Sequence, residues 1–488
     1  MNRINSSWGV FRAAVVALGL LGCDGLEVNR ANIIPLTEGD LGFGLDVVTP
    51  VGLDGSSNRP PDQFFPVDAG EGLDFGLWDE QCADGRESRT GEGRLGVSNC
   101  RIVRNGNPAG LLRGVIVSAD SLTTPLSTSP HSEADFQALR QQGIDYVWLL
   151  IPLKGLLPIE GAFDAAFMGR ICAQAAAAYQ VGLDLLIGVY ADISSGRSDD
   201  GAPAWVDALS DDSDVRADLF WEGHSQHLTE SWRRLVDTCG NEIAIAGVLP
   251  LVNPKVGGGA ASMIAVRSRF EEIFELVEDR YGPVLRLVQL VDGPNEPARY
   301  WENVWPDTVY MPSVLPDADG QQDGLTDNRL LELLVEAKEF GLPLWLWGVA
   351  ATRVDQLERQ LALLDEKGVF GSIWHDGSSG MFGLRNADWS YNALFSSYLA
   401  RPIVRAFTGY ALSSEITRER TIFQWHSRQG AVELFEFEPG WHGPDCSLES
   451  DDDLIVDLSY AYDPVTNRVT AVVVAPPGLR RLIVKGVR

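Results

Sequence analysis

Several acidic residues of the chain lie where they could take part in proton transfer. The run LVDGPNEP at 290–297 ends in Asn295-Glu296-Pro297, so a carboxylic acid follows directly on a predicted buried strand. Held there, Glu296 could give a proton to a leaving oxygen while a second carboxylate about 5 Å away attacks an anomeric carbon. The other carboxylates that we expect in neighbouring loops are Asp192, Asp200, Glu222, Asp292 and Asp376. His375 beside Asp376 could form a hydrogen-bonded dyad, but no serine or cysteine in a nucleophile-elbow setting accompanies it.

The elements that would position these carboxylates alternate along the middle of the chain. The apolar runs of strand type are LLRGVIVS (111–118), DYVWLLI (145–151), LDLLIGVY (183–190), IAGVLPL (245–251), VLRLVQLV (284–291), TVYMPSV (308–314), LPLWLWGV (342–349) and GSIWHD (371–376). Most gaps contain an amphipathic helical segment, such as SEADFQALRQQG. Eight strands over roughly 290 residues predict an α/β fold, a (β/α)8 TIM barrel whose site lies at the C-terminal strand ends. A doubly wound open sheet is the alternative, but no Gly-rich phosphate loop supports it.

The composition and the hydrophobic pattern of the sequence change before and after the predicted barrel. After about residue 405, alternating runs such as AVELFEFEP and RVTAVVVAP predict a small antiparallel β-sandwich. Before the barrel, a Gly/Asp/Pro-rich stretch is typical of a tether, and Asn105-Gly106 predicts a hairpin turn. The predicted domains are therefore a signal peptide at 1–23, a tether at 24–99, the barrel at 100–404 and the sandwich at 405–488.

The N-terminus has the features of a targeting segment. Arg3 and Arg12 flank the apolar stretch AAVVALGLLG, which is too short to span a bilayer as a helix. It ends in LLGC at 20–23, which resembles a bacterial lipobox and implies cleavage before Cys23 and lipidation of that residue. A plain secretory signal is the alternative. We expect a membrane-anchored lipoprotein on the extracytoplasmic side, in the periplasm or at the cell surface of a bacterium.

Net charge limits the classes of partner, and the cysteines indicate disulfides rather than a metal site. The net charge of −29, from 68 acidic and 39 basic residues, disfavours nucleic acid as a partner. Besides Cys23, five cysteines remain in an oxidising compartment. Cys82 with Cys100, and Cys172 with Cys239, are the disulfide candidates, which leaves Cys446 over. No CxxC or His-rich cluster indicates a metal, and we expect no cofactor.

Three stretches together resemble a known family of glycosidases. LLRGV at 111–115, DGAPAW at 200–205 and LARPIVRAFTGYAL at 399–412 are similar to glycoside hydrolase family 5, in its endoglycoceramidase-like branch. The resemblance covers roughly residues 100–488 and implies a TIM barrel with a C-terminal β-sandwich. It also implies retaining hydrolysis of β-glycosides, with glycolipids as the substrate class. The family's acid is the Glu of an Asn-Glu-Pro ending strand four, and its nucleophile is a Glu ending strand seven.

At both catalytic positions this sequence departs from the family. Strand four ends in Val252-Asn253-Pro254, which puts Asn253 where the acid should be, and strand seven puts Gly348 on the nucleophile position. An amide cannot exchange a proton near neutral pH, and glycine has no side chain. Glu296 follows strand five instead, and we interpret it as a first-turn residue of a short helix. These departures predict a catalytically degenerate member of the fold.

The family's accessory polar positions have also changed. They match Trp148, Tyr190 and Ser313, with Asp192 retained nearby, and only the tryptophan of strand eight persists, as Trp374. Such aromatic rings could stack on sugars in a cleft, or they could fill the former pocket. Trp205 and Trp221 could rim that cleft or pack in the core. The candidate ligand-binding residues are Trp148, Tyr190, Asp192, Trp205, Asn253, Trp347, Trp374 and His375.

Two functions are consistent with these patterns. The first is a role without catalysis, either binding of carbohydrate or glycolipid at the cell envelope or service as an envelope scaffold. The alternative is an active retaining β-glycosidase, endoglycoceramidase-like or cellulase-like, that uses the displaced carboxylates Asp192, Glu296 and Asp376.

Overall fold

A computed structural model describes the barrel, the sandwich and the segment just before the barrel. The described residues are 95–98, 101–104, 107–108, 112–118, 131–193, 201–258, 260–289, 307–312, 326–349, 354–373, 401–407, 410–427, 432–450, 455, 457–464 and 467–486. The predicted signal peptide and most of the tether lie outside them. So do these residues singled out from the sequence: Cys23, Cys82, Cys100, Asp200, Asp292, Glu296, Ser313, Trp374, His375 and Asp376.

A small antiparallel sheet precedes the barrel and covers its N-terminal end. It consists of β1 (Leu95–Ser98), β2 (Arg101–Arg104) and β3 (Asn107–Pro108). Arg104 pairs with Asn107, as the predicted hairpin requires. Leu95–Ser98 fall within the stretch predicted as tether, so β1 is a correction to that boundary. Leu95 is buried, and the amide of Val97 donates to Oδ1 of Asp307 at 2.8 Å. These two contacts hold β1 against the barrel.

The predicted TIM barrel is confirmed, with one strand from each of the eight apolar runs. Its strands are β4 (Arg113–Ser118), β5 (Tyr146–Pro152), β6 (Asp184–Tyr190), β7 (Gly247–Val252), β8 (Leu285–Val288), β9 (Thr308–Tyr310), β10 (Trp345–Val349) and β11 (Phe370–Ile373). They pair in parallel in the order β10-β11-β4-β5-β6-β7-β8-β9. The ring closes where the Tyr310 amide donates to the Pro343 carbonyl at 3.0 Å and the Trp347 amide donates to the Pro312 carbonyl at 3.1 Å.

Helices follow most of these strands. In the described part of the chain they are α1 (Glu133–Gln141), α2 (Leu153–Leu156), α3 (Ala165–Gln180), α4 (Ala204–Asp207), α5 (Ser213–Leu219), α6 (Gln226–Cys239), α7 (Ala260–Tyr281), α8 (Asp327–Phe340) and α9 (Val354–Lys367). A π-helical turn, Phe220–His224, joins α5 to α6. Ser132 begins α1 with a reciprocal capping box to Asp135. None of the described helices is long and apolar enough to cross a membrane.

A disulfide joins two of the helices, and apolar packing holds the helices on the strands. The predicted disulfide Cys172–Cys239 joins α3 to α6. Along β5, Val147, Leu149 and Ile151 face an outer core shared with the helices, whereas Tyr146, Trp148 and Leu150 face an inner core within the barrel. Because both faces of the strand are buried, its sequence is a continuous apolar run.

The C-terminal β-sandwich is also confirmed. Its strands are β12 (Ile403–Phe407), β13 (Tyr410–Ile416), β14 (Arg420–Ser427), β15 (Val432–Glu438), β16 (Ser447–Ser450), β17 (Asp457–Asp463), β18 (Arg468–Val474) and β19 (Gly478–Lys485). Two antiparallel sheets, β12-β15-β18-β17 and β13-β14-β19-β16, enclose an aromatic core that includes Phe423, Trp425 and Phe435.

The junction motif LARPIVRAFTGYAL forms buried ion pairs where the barrel meets the sandwich. Arg401 pairs with Asp365 of α9. Arg405 pairs with Asp145, just before β5, and its Nε lies 2.8 Å from Oε1 of Glu438. Both guanidinium groups are almost fully buried, so each depends on its carboxylate partner.

Candidate functional site

The acid position of the resemblance lies just past the end of β7. Asn253 is exposed, and its backbone has a φ of 49°, a left-handed conformation that asparagine tolerates better than most residues. Its amide donates to Oε1 of Gln289 at 2.6 Å, and Nε2 of Gln289 donates to the Met311 carbonyl at 3.0 Å. The ends of β7, β8 and β9 are therefore connected by amide groups. No group among these three residues can transfer a proton near neutral pH.

The nucleophile position lies on β10. Gly348 is buried and has a φ of 74°, in the region that disfavours every residue with a Cβ. The pairing of β10 with β11 shifts register between Leu346 and Val349, so Gly348 lies at a bulge. The backbone at this position is built for glycine, and a glutamate here would strain it.

Two tryptophans occupy the barrel interior beside this bulge. The rings of Trp148 and Trp347 meet edge to face with centroids 5.0 Å apart. Trp148 is 0% exposed and Trp347 is 4% exposed. Among the described residues, the interior at this level is therefore filled by aromatic side chains and holds no carboxylate. Of the two interpretations of these rings, their burial favours the filled pocket for this pair.

The neighbouring strand leaves room for the Trp148 ring. A Cβ added to Gly188 of β6 would lie 2.7 Å from Nε1 of Trp148, closer than side-chain atoms approach. A residue larger than glycine at position 188 would therefore displace the indole. The Trp148 Nε1 atom is buried and has no hydrogen-bond partner among the described residues.

A second aromatic layer lies below the tryptophan pair. Nε1 of Trp345 donates to the hydroxyl of Tyr146 at 2.6 Å, and that hydroxyl also lies 2.8 Å from Oγ of Ser372. Burial raises the pKa of Tyr146, against the opposing effect of these two hydrogen bonds. Tyr146 is therefore a neutral packing residue, and the lower barrel is a closed polar–aromatic core.

The remaining predicted residues lie apart from the tryptophan pair or at its edge. Tyr190 ends β6, is partly exposed, and packs against the inner core. Asp192 is exposed two residues later. Glu222, in the π-helical turn, accepts a hydrogen bond from Oγ of Ser262 at 3.1 Å. Among the described residues, these positions bring no two carboxylates together inside the barrel.

The two tryptophans predicted to rim a cleft lie in the β6–β7 connection. Trp205 is partly buried, and its Nε1 donates to the Leu157 carbonyl at 3.3 Å. Its ring stands 5.8 Å from the ring of His224 and 5.7 Å from that of His227. Trp221 is buried and donates to the Lys255 carbonyl at 2.7 Å. Trp205 therefore borders a pair of histidines that the sequence did not single out.

Solved structures of an endo-glycoceramidase and an endogalactoceramidase have a similar fold. Endo-glycoceramidase II from Rhodococcus sp., solved as a ganglioside GM3 complex, matches with a TM-score of 0.57 and 17% identity, over 78% of this chain and 98% of that chain. The chain has the endoglycoceramidase fold. The lactosyl-enzyme intermediate of the same Rhodococcus enzyme gives a TM-score of 0.57 and 17% identity over the same shares of the two chains.

A second enzyme of this fold gives the same result. A crystal structure of endogalactoceramidase matches with a TM-score of 0.58 and 19% identity, over 81% of this chain and 100% of that chain. A scan against models of protein families finds no match, and a search of curated proteins finds none. The endoglycoceramidase fold is thus shared over both domains, at a sequence identity of 17–19%.

Proposed function

We propose that the protein is a catalytically degenerate relative of the endoglycoceramidases that binds carbohydrate or glycolipid at the cell envelope. The main support for a loss of catalysis is the backbone conformation of Gly348. A φ of 74° at a buried bulge is a backbone shape specific to glycine, so the change reaches beyond one missing side chain. Asn253 and the buried Trp148–Trp347 pair support the same conclusion.

The binding half of the proposal is supported by the rim of the barrel and by the fold. Tyr190 ends β6 and is partly exposed at the C-terminal strand ends, where ligands of such barrels bind. Aromatic faces are suited to the C–H faces of sugars. The neighbours of this fold include an enzyme solved with ganglioside GM3, which makes glycolipids the first ligands to test.

Hydrolysis is tested by long incubation of the full chain, in detergent, with ganglioside GM3 and galactosylceramide. Released sugar is measured by mass spectrometry, with the Rhodococcus enzyme as positive control. We expect no release above a no-protein blank. Release that disappears in Asp192→Asn, Glu296→Gln or Asp376→Asn would establish the alternative, an active glycosidase with displaced carboxylates.

Binding is tested on the same lipids displayed in neutral vesicles. We expect the full chain to bind one of them, and Tyr190→Ala to weaken binding about 3- to 10-fold, since one aromatic contact is worth about 0.5–1.5 kcal/mol. Tyr460→Ala is the matched control, because Tyr460 is an exposed tyrosine of β17 in the sandwich. Equal binding by the Tyr190 variant would place the ligand elsewhere, and no binding at all would leave only a scaffold role.

The location at the envelope rests on the LLGC sequence at 20–23. We propose cleavage before Cys23, a lipid anchor on that residue, and an extracytoplasmic barrel. Mass spectrometry of the mature N-terminal peptide should find a multiply acylated Cys23, and Cys23→Ala should release the protein from membranes. An unmodified N-terminus further along the chain would instead indicate a plain secretory signal.

A further inference from the structure

Two histidines and a glutamate converge on the surface of the barrel, beside Trp205. Nδ1 of His224 lies 2.8 Å from Oε1 of Glu160, and Nε2 of His227 lies 3.5 Å from the same oxygen. The three donor atoms all lie within 4.8 Å of one another. Two imidazole nitrogens thus face one carboxylate oxygen, each from a different ring position.

Three separate pieces of backbone hold these side chains in place. Glu160 lies in a tight turn closed by the Ala162 amide, which donates to the Ile159 carbonyl at 2.9 Å. His224 is the last residue of the π-helical turn, and His227 lies in the first turn of α6. Single π-turns inserted in helices are frequent at functional sites.

The two connections that carry these residues are also tied to each other. The Lys154 amide donates to the Gly201 carbonyl at 2.9 Å, and Trp205 reaches across to the Leu157 carbonyl. Because the Trp205 ring contacts both imidazoles, it limits their rotation. The cluster is therefore positioned by packing before any ligand arrives.

The donor atoms fit a transition-metal ion. With Zn–N bonds of about 2.0–2.1 Å and Zn–O bonds of about 2.0–2.2 Å, two ligands of a tetrahedral ion lie about 3.3–3.5 Å apart. The separation of 3.5 Å between Glu160 and His227 lies at the upper end of that range, and the 2.8 Å between Glu160 and His224 is a hydrogen-bond distance that an ion would have to widen. The side chains are 47% exposed for Glu160, 30% for His224 and 20% for His227, which leaves an outer side for water or a ligand group.

We propose that Glu160, His224 and His227 form a site for a divalent transition metal, with Zn²⁺ as the expected ion. Two imidazoles with one carboxylate suit Zn²⁺, whereas Ca²⁺ and Mg²⁺ prefer sites made of oxygen atoms. The fourth position faces solvent at the rim of the barrel's C-terminal face. An ion there joins the β5 and β6 connections and offers an open coordination position.

The ordinary alternative is a hydrogen-bonded cluster without an ion. In that case Glu160 accepts a hydrogen bond from His224, has His227 as a second neighbour, and the cluster adds a little surface stability. The two alternatives differ in whether the chain takes up stoichiometric metal, so metal content decides between them.

The test uses the full chain, stripped with a chelator and then titrated with Zn²⁺ against a chromophoric competitor. We expect one tightly bound Zn²⁺ and an upward shift of the melting temperature on its addition. His224→Ala and His227→Ala should each weaken binding at least about 100-fold, since even groups that only support a ligand contribute 10–100-fold. Glu160→Gln should weaken it in the same direction.

His426→Ala is the matched control, because His426 is a partly buried histidine of β14 in the sandwich. It should bind Zn²⁺ like the wild type. Circular dichroism and urea unfolding of the metal-free variants check that each one folds. Zn²⁺ binding that survives in the His224→Ala/His227→Ala double variant, or a wild-type chain that retains no Zn²⁺, overturns the proposal.

Discussion

Replacing Gly348 by alanine is the most direct test of the claim that β10 is built around glycine. A left-handed backbone costs a residue with a Cβ about 1–2 kcal/mol. Against that cost, alanine restricts the unfolded chain and returns about 0.4–1 kcal/mol. With Gly348 at a φ of 74°, we expect a net loss of about 1 kcal/mol in the free energy of unfolding. Buried contacts of the new methyl group would enlarge that loss.

Gly169→Ala provides the matched control for this measurement. Gly169 lies on the exposed side of α3, and a Cβ added there meets nothing within 4 Å. Alanine should therefore stabilise the chain by up to about 1 kcal/mol. Urea unfolding followed by circular dichroism and tryptophan fluorescence gives both values. The reasoning is refuted if Gly348→Ala is as stable as the wild type or more stable, because the strained backbone would then not exist.

Three further perturbations test the scaffold by urea unfolding. Replacing Cys172 and Cys239 by alanine should cost about 4 kcal/mol, because the disulfide closes a loop of 67 residues; a loss below 1 kcal/mol would mean that the unfolded chain is already restricted. Arg405→Ala removes the buried cation that pairs with Asp145 and Glu438, and the free energy of unfolding should fall by about 3–5 kcal/mol. An unchanged free energy of unfolding would show that water reaches the two carboxylates. Burial raises the pKa of Tyr281 to about 12, so its hydroxyl adds stability below pH 10 that is lost as pH rises towards 12. Tyr281→Phe should flatten that loss, and an unchanged slope would assign it to other groups.

Most of the fold was predictable from the sequence because the barrel strands are buried on both sides. The run DYVWLLI is a continuous apolar stretch since Tyr146 and Trp148 fill the barrel interior while Val147 and Leu149 face the helices. The pairing of Cys172 with Cys239 followed from placing them on neighbouring helices. The strand Leu95–Ser98 was not predictable, because its contact residues, such as Asp307, lie far away in the sequence.

The candidate site was predictable only in part. The identities of Asn253 and Gly348 are visible in the sequence, but the φ of 74° and the register shift that make Gly348 necessary are properties of the folded strand. The histidine cluster was missed for a related reason. His224 and His227 are three residues apart, yet Glu160 lies 64 residues before His224 and meets it only through the fold. The one available signal was the His-Ser-Gln-His spacing at the start of a helix.

The stretches that resemble the family and the positions 253 and 348 differ in what they do physically. Arg405, in the junction motif, forms a buried pair with Asp145, so its removal alone would cost several kcal/mol. A catalytic carboxylate contributes no such stability, so under the proposed function an asparagine at 253 and a glycine at 348 would leave the barrel folded. The buried rings of Trp148 and Trp347 contribute apolar area to the barrel interior. Buried ion pairs and buried rings therefore preserve the endoglycoceramidase fold whatever the site residues are. The function has to be inferred from the residues at the rim of the barrel.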